Sequence, residues 1–580
     1  MNFNKTIVCC VFVLICLTVS AQQTLYVSSS GKDNYYSADK PGNPDGLNTK
    51  LKELRRQGSK HITVYLKGGT YLLDQSFVID DDVAGNKSDT LIFSGIEGEK
   101  VILSGGKKVT QWEMASNGMF KAQLPQGTNF RQLYINGKMA IRARTPNREN
   151  EYDFSPYYRG LRFDQNNKTI LVNASEIAKW KNMQQIEMVF HQHWYQSRVK
   201  IESFKIEKDT AVVTALQPGR DFIFQLTYAR MLNPDKPYYF ENALEFLDQG
   251  GEWYLDTNDA VLYYKPRPNE DIRKIEVVYP VLDIVVRIKG KPDKPVQNVT
   301  LRNIEIAYNN WTVPSRDGII ATQAVQGRGY SYEPGIVHVD YARNIKVQNC
   351  NIFCAGAHGV VLGRGVQFSG IISCHIDQIS ANGIVIDTYK KPFPPDSLFC
   401  KDNRVANNLI ENVGMQYTNG MGLLASCVAR LMVENNEIRY SRYMGMQIGN
   451  HYGDNLSGMR DNIIRRNNIH HVMLLHDDGG AIYTLAAQPG TKILRNWMHD
   501  YEKAKWSDDF PTNGVFLDNN SRYIRVQDNV MTDLKNVDLI KEQHAGNATT
   551  PDNLLINNNT QDKEVIEESG PKGKVGVIEE

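Results

Sequence analysis

The chain has 580 residues, 66 Lys+Arg against 65 Asp+Glu, a formal net charge of +1 and 41% hydrophobic content. That length supplies a large core or several domains. The balanced charge, with no run of five like residues, excludes the basic footprint of a nucleic-acid binder, and the 29 tyrosines suit a surface that stacks on flat, hydroxylated ligands.

Residues 1–21 read as a signal peptide. Lys5 precedes an apolar stretch from Ile7 to Val19, and Val19-Ser20-Ala21 offers a small-residue cleavage site. Cleavage after Ala21 predicts a periplasmic or secreted protein without membrane insertion, because no later window approaches about 18 consecutive apolar residues. Cys9, Cys10 and Cys16 leave with the signal, and Cys350, Cys354, Cys374, Cys400 and Cys427 cluster in one segment. An odd, clustered set without a CxxC pair predicts small buried residues, neither a disulfide framework nor a zinc site.

Ile62-Thr-Val-Tyr-Leu and Leu91-Ile-Phe-Ser-Gly, in residues 22–105, read as the first turns of a repeat. Residues 106–280 break the rhythm with strand-like pieces of other spacing and turns at Asn136-Gly137 and Asn258-Asp259, which marks an inserted β module. The repeat resumes over 281–560, and residues 561–580 form a tail or cap. From about residue 340 one phrase recurs: a polar residue, an apolar anchor, a polar gap, then Gly before a short apolar strand. The anchors fall at 352, 376, 410, 438, 469, 498 and 530, spacings of 24 to 34 residues. Such turns are too short for propeller blades and lack a helical stripe, which leaves an all-β solenoid, a right-handed parallel β-helix. Stacked turns favour columns of like residues, so Cys350 and Cys374 should share one, and Asn382, Asn419 and Asn513, each before a Gly, are expected at turn corners.

Strand alternation then sorts the chemistry. In Gly514-Val-Phe-Leu-Asp518, Val515 and Leu517 point inward while Phe516 and Asp518 face out. Aligning the glycines sends Asp387, Gln447, Ile482, Thr484 and Asp478 outward as well. Two aspartates on one exposed sheet are what glycoside hydrolysis needs: an acid for the leaving oxygen and a carboxylate to attack or to activate water. In that alignment Asp478 and Asp518 are six positions apart along the strand, about 20 Å, against roughly 5–9.5 Å for catalytic pairs. A turn at Asp477-Asp478-Gly479-Gly480 must bring them together. Tyr483, Gln447, Asp387, His451, His193, Trp194 and Glu542 are expected substrate contacts, with His476 and His191 close by.

Phe130-Arg-Gln-Leu-Tyr-Ile-Asn-Gly-Lys, Trp253-Tyr-Leu-Asp, Asp478-Gly-Gly-Ala-Ile-Tyr-Thr484 and Phe516-Leu-Asp518 together resemble the β-helix enzymes of glycoside hydrolase family 141. The resemblance implies an α-L-fucosidase or xylanase acting on plant cell-wall glycans, with Asp478 and Asp518 as the catalytic pair. Asp477 stands beside Asp478 as a rival, and no cofactor is implied. Two other classes fit the scaffold: a polysaccharide lyase holding Ca²⁺ on Asp387 and the Asp477-Asp478 pair, and a non-catalytic glycan-binding solenoid. The partner in each case is an oligo- or polysaccharide. The oligomeric state does not follow from the sequence.

Overall fold

The computed structural model describes residues 22–577 except 33, 192–193, 226–234, 318–333, 388–394, 450–457, 506–509, 544–551 and 560. The expected signal peptide, and with it the expected export, lies outside them. Three parallel sheets run along the molecule. The first has twelve strands, from Gln23–Val27 to Leu554–Ile556; the second has ten, from Gly69–Leu72 to Val530–Lys535; the third has ten, from Phe77–Asp80 to Asp538–Glu542. One circuit of the chain visits each sheet in turn, as in Met432–Glu434, Glu437–Ser441 and Met446–Ile448, before the next begins at Ile463–Arg465. The fold is a parallel β-helix. The helix Leu47–Arg56 turns Leu47, Leu51 and Leu54 onto the first circuits, where their spacing of four and three residues puts them on one buried face.

Register explains why the coil holds. Ile352 pairs with Ile376, then come Ile410, Ile438, Ile469 and Met498, an unbroken apolar column inside the coil. The last anchor is Met531, one residue beyond the expected Val530, which pairs instead with Trp497. At the corner between the first and second sheets each circuit places a left-handed residue, among them Ser373, Asn407, Asn435, Arg466 and Arg495. The residue after it carries an asparagine ladder: Asn408, Asn436, Asn467, Asn496, Asn529 and Asn558. Asn467 is representative. Its Oδ1 accepts from the Asn436 amide at 3.1 Å and from Asn436 Nδ2 at 2.9 Å, while its own Nδ2 donates to Val433 O at 3.0 Å and to Asn496 Oδ1 at 2.9 Å.

Cys350 and Cys374 precede these asparagines in the same column, the Cys374 amide donating to Asn408 Oδ1 at 2.8 Å, and the five described cysteines are buried thiols. The expected corner asparagines sit elsewhere. Asn382 and Asn513 bond to backbone one circuit away, at Met421 N and Gly479 O, and do not stack as a ladder. The ladder requires an amide directly after a left-handed residue, and Asn-Gly phrases do not supply that.

The insert interrupts the chain but not the coil. Leu91 pairs directly with Val299, and Leu103 with Ile306, so circuits before and after the insert are neighbours. The intervening segment builds largely antiparallel sheets of four, five and seven strands with apolar centres of its own, one around Met188, Phe190 and Phe240 and another around Phe130, Trp253 and Tyr264.

Residues 563–577 turn back along the outside of the coil. The helix Lys563–Glu568 opens them, Glu568 pairs with Arg466 at 2.9 Å and Arg495 at 3.3 Å, and the segment then crosses the left-handed corners. Asn435 Nδ2 donates to Gly570 O, the Lys572 amide to Asn407 Oδ1, the Gly576 amide to Ser373 O and the Val577 amide to Asn351 Oδ1.

Candidate active site

The third sheet carries the chemistry, and its register revises the expected face. Gly480 pairs with Asn513, Tyr483 with Phe516 and Thr484 with Leu517, one residue off the alignment of glycines. Ile482 therefore joins Met446 and Val515 inside the coil, and Thr484 joins Ile448 and Leu517 there. A one-residue slip would drive the Tyr483 ring inward and Ile482 out, which apolar burial forbids. The outward column runs Gln447, Tyr483, Phe516, Lys541.

Asp518 follows its strand at the point where the chain turns through the left-handed Asn519 and Asn520. Its carboxylate accepts from Tyr483 Oη at 2.6 Å, from the Asn519 amide at 2.7 Å and from Asn519 Nδ2 at 2.8 Å. Three donors suit a charged carboxylate rather than a carboxylic acid. Asp478 precedes its strand in a left-handed conformation, φ 58°, with its carbonyl held by Tyr443 Oη at 2.9 Å. Its side chain keeps partial contact with solvent, whereas Asp477 is fully buried. Burial first, then the charges of Asp518 and Asp477, push the Asp478 carboxyl up to about 7, against a smaller opposing pull from Lys541. The Asp478 turn thus comes before the two glycines, which lie in the strand itself.

Asp387 occupies the position equivalent to Asp518, directly after its strand. The strands Leu423–Ala425, Met446–Ile448 and Gly479–Thr484 lie between them, so the two are four circuits apart, about 19 Å. Asp387 Oδ2 accepts from the Cys427 amide at 3.0 Å. The expected gathering of Asp387 with Asp478 and Asp518 on one patch does not occur, and neither does a shared cation site. Gln447 is buried one circuit before Tyr483, its Nε2 on Gly449 O at 2.8 Å. Glu542 pairs with Leu517 in the inward column of the last circuit, where it accepts from Asn553 Nδ2 at 3.0 Å. His451 and His193 lie outside the described residues.

The insert reaches over this region. Trp194 packs edge-on against Phe510 with ring centroids 5.9 Å apart, two residues before the strand that ends at Leu517. His191 stands 5.5 Å from the ring of His476, which also meets Tyr443 at 5.5 Å, and Thr418 Oγ1 joins His476 Nε2 at 2.8 Å. The junction behind them is ionic. Glu187 is bound by Arg131 and by Arg142 at 2.9 Å; Glu241 by Arg131 at 2.7 Å and by Arg142 and Arg198 at 3.3 Å; Ser315 of the coil closes on Glu187 at 2.6 Å. Burial alone would push the Glu187 carboxyl up, but Arg131, Arg142 and Arg198 hold it well below its ordinary range. Arg198 Nη2 continues to Gln416 O on the coil at 3.0 Å.

The family model of the GH141 insertion domain matches residues 119–267, which lie within the inserted module. A solved structure titled "Glycoside hydrolase" is 25% identical and covers 95% of this chain and 99% of its own, with a TM-score of 0.86. The chain is a glycoside hydrolase that carries a GH141-type insertion domain. A second solved structure, the complex of XylC with xylose, is 11% identical over 92% of this chain and 86% of its own, at a TM-score of 0.49. No curated protein matches.

In this glycoside hydrolase the described residues contain one group that could hold a metal ion: His375, Asp377 and Glu411, on the outer face of the second sheet. Arg439 pairs with Glu411 at 2.7 Å and Asn412 Nδ2 donates to Asp377 at 2.8 Å, so the group is part of an ion-pair ladder remote from Asp518. No helix among the described residues is long and apolar enough to cross a membrane. Three neighbours of the aspartates went unread in the sequence: Asn519, Tyr443 and Lys541. Asn519, next to Asp518 ahead of a turn, was within reach of pattern reading; Tyr443 and Lys541 arrive from other circuits with no local signal.

Proposed function

We propose that this GH141-type enzyme is exported and cleaves plant cell-wall glycans in the manner of an α-L-fucosidase, with Asp478 as general acid and Asp518 as its ionised partner. The observation that carries the reading is the electrostatic contact of the two carboxylates, one pushed up to about 7 and the other held by three donors. At neutral pH a large share of Asp478 retains its proton, which passes to the glycosidic oxygen as the bond to the anomeric carbon breaks. Asp518 attacks that carbon or draws a proton from the attacking water, and Tyr483 Oη fixes the carboxylate for the task. Asp478 is favoured over Asp477 because it keeps access to solvent while Asp477 has none.

Product analysis on plant cell-wall oligosaccharides, wild type beside Asp518→Asn and Asp478→Asn, tests this. The expected result is release of a deoxyhexose or pentose by the wild type and a loss of roughly 10²–10⁴-fold in each variant. Full activity in Asp518→Asn would remove the proposed pair.

A further inference from the structure

Charge does not balance where the insert meets the coil beside His476. Arg131, Arg142, Arg144, Arg148 and Arg198 line a cavity of about 30 Å³ there, and Glu241 is its sole lining carboxylate among the described residues, with Glu187 just behind. Arg131, Arg142 and Arg198 are committed to those two glutamates. Arg144 Nη1 donates to Tyr157 Oη at 3.2 Å. Among the described residues Arg148 has neither a carboxylate at ion-pair distance nor a hydrogen bond. Its guanidinium lies over the rings of Phe154 at 5.1 Å and Tyr157 at 5.6 Å, and its Nη1 is closed off from solvent without a partner.

A buried donor left in this state costs free energy that a ligand acceptor would recover. Burial, with Arg144 and Arg442 close by, lowers the pKa of Arg148, the direction expected of a cation missing its counter-ion. Nearby His191 is pushed well below its ordinary value by burial and by His476, so it adds no charge of its own at neutral pH.

Size limits the ligand. The small cavity has room for a group of two or three heavy atoms and excludes a sugar ring. A second cavity of about 250 Å³ shares Arg144, Arg148, Met415 and Gln416 with it and is large enough for a ring. Two of the carboxylates lining that larger space are already engaged: Glu151 holds Arg442, and Glu252 accepts from the amides of Asp248 and Gln249. The His191 ring lies tilted against Phe154 with centroids 4.2 Å apart and meets His476 at 5.5 Å, two residues from Asp478. Ring contacts thus run from the Arg148 guanidinium through Phe154 and His191 to His476.

We infer that Arg148, with Arg144, binds the carboxylate of a uronic acid residue in the substrate, its ring in the larger cavity, so that the enzyme takes acidic glycan chains. The planar two-oxygen group matches the guanidinium fork, which a hydroxyl does not. The inference rests on the reading that Asp478 and Asp518 cleave glycans at this face.

Two measurements test it. The first follows thermal unfolding of the full protein with D-glucuronate or D-galacturonate, against glucose, galactose and acetate at matched ionic strength. Uronates should raise Tm, the neutral sugars and acetate should not, and Arg148→Gln should abolish the rise. The second compares hydrolysis of acidic cell-wall oligosaccharides before and after chemical reduction of their carboxylates. Reduction should slow the wild type by roughly tenfold or more and bring its rate close to that of Arg148→Gln. Equal rates on both substrates, or a Tm rise with acetate as large as with uronates, would overturn the proposal. If neither oligosaccharide is cleaved, the plant-wall reading fails, and the uronate shift, which needs no turnover, still decides the role of Arg148.

Discussion

In the coil, buried polar groups repeat: Asn408, Asn436, Asn467, Asn496 and Asn529 each make the same neutral bonds to the circuit on either side, and Asn558 ends the row. At the seam with the insert, Arg131, Arg142, Arg198, Glu187 and Glu241 occur once, are charged, and draw in Ser315 and Gln416 from distant parts of the chain. A repeating solution distributes stability evenly, so no single circuit is decisive. A singular ionic one concentrates it, because removing one partner strands the others as uncompensated buried charge.

Glu187→Gln sharpens this contrast most. It leaves three arginines to Glu241 and should cost about 3–5 kcal/mol. The loss should be localised, as an early melting transition or fast hydrogen exchange in residues 119–267 while the coil stays protected; a single unshifted transition would break the comparison. Asn467→Ala comes next. It strands the Asn436 amide and the Val433 carbonyl, at about 1–3 kcal/mol, and should lower the main denaturation midpoint without an early phase.

A third effect belongs to Asp478 and depends on pH. Its carboxyl lies at about 7 in the fold against an ordinary 3.8, so the fold prefers the protonated form. The stability it contributes is complete below about pH 4 and is lost as pH climbs through about 7. Asp478→Asn should therefore melt higher than the wild type at pH 8 and match it at pH 4. The kcat/KM of the wild type should fall above about pH 7 as the general acid loses its proton.

The coil was legible because its physics is local and periodic. The apolar anchors from Ile352 to Met498 and the Cys350–Cys374 column follow from spacing, since each circuit must bury the same positions. The Asp478 and Asp518 motifs could be found the same way. Their neighbours could not, because side-chain direction depends on register, and one residue of slip at Gly480 exchanges Tyr483 for Ile482 on the outer face. The arginine seam was hidden for another reason: Arg142 and Arg144 sit in a phrase that reads as an ordinary strand, and only folding the insert back onto the coil shows them facing two glutamates and a vacancy in charge.

A stack of circuits can peel from its ends one layer at a time, since each touches only its neighbours. Residues 563–577 change the order in which that can happen. They span the corners at Arg495, Arg466, Asn435, Asn407, Ser373 and Asn351, so circuits far apart in the stack are tied to one continuous segment. These ties engage circuits from Asn351 to Arg495 at once, which makes the segment a latch across the stack. Once it is set, loosening the circuit at Trp497 also works against contacts at Asn351, and the stack unfolds as a unit rather than layer by layer.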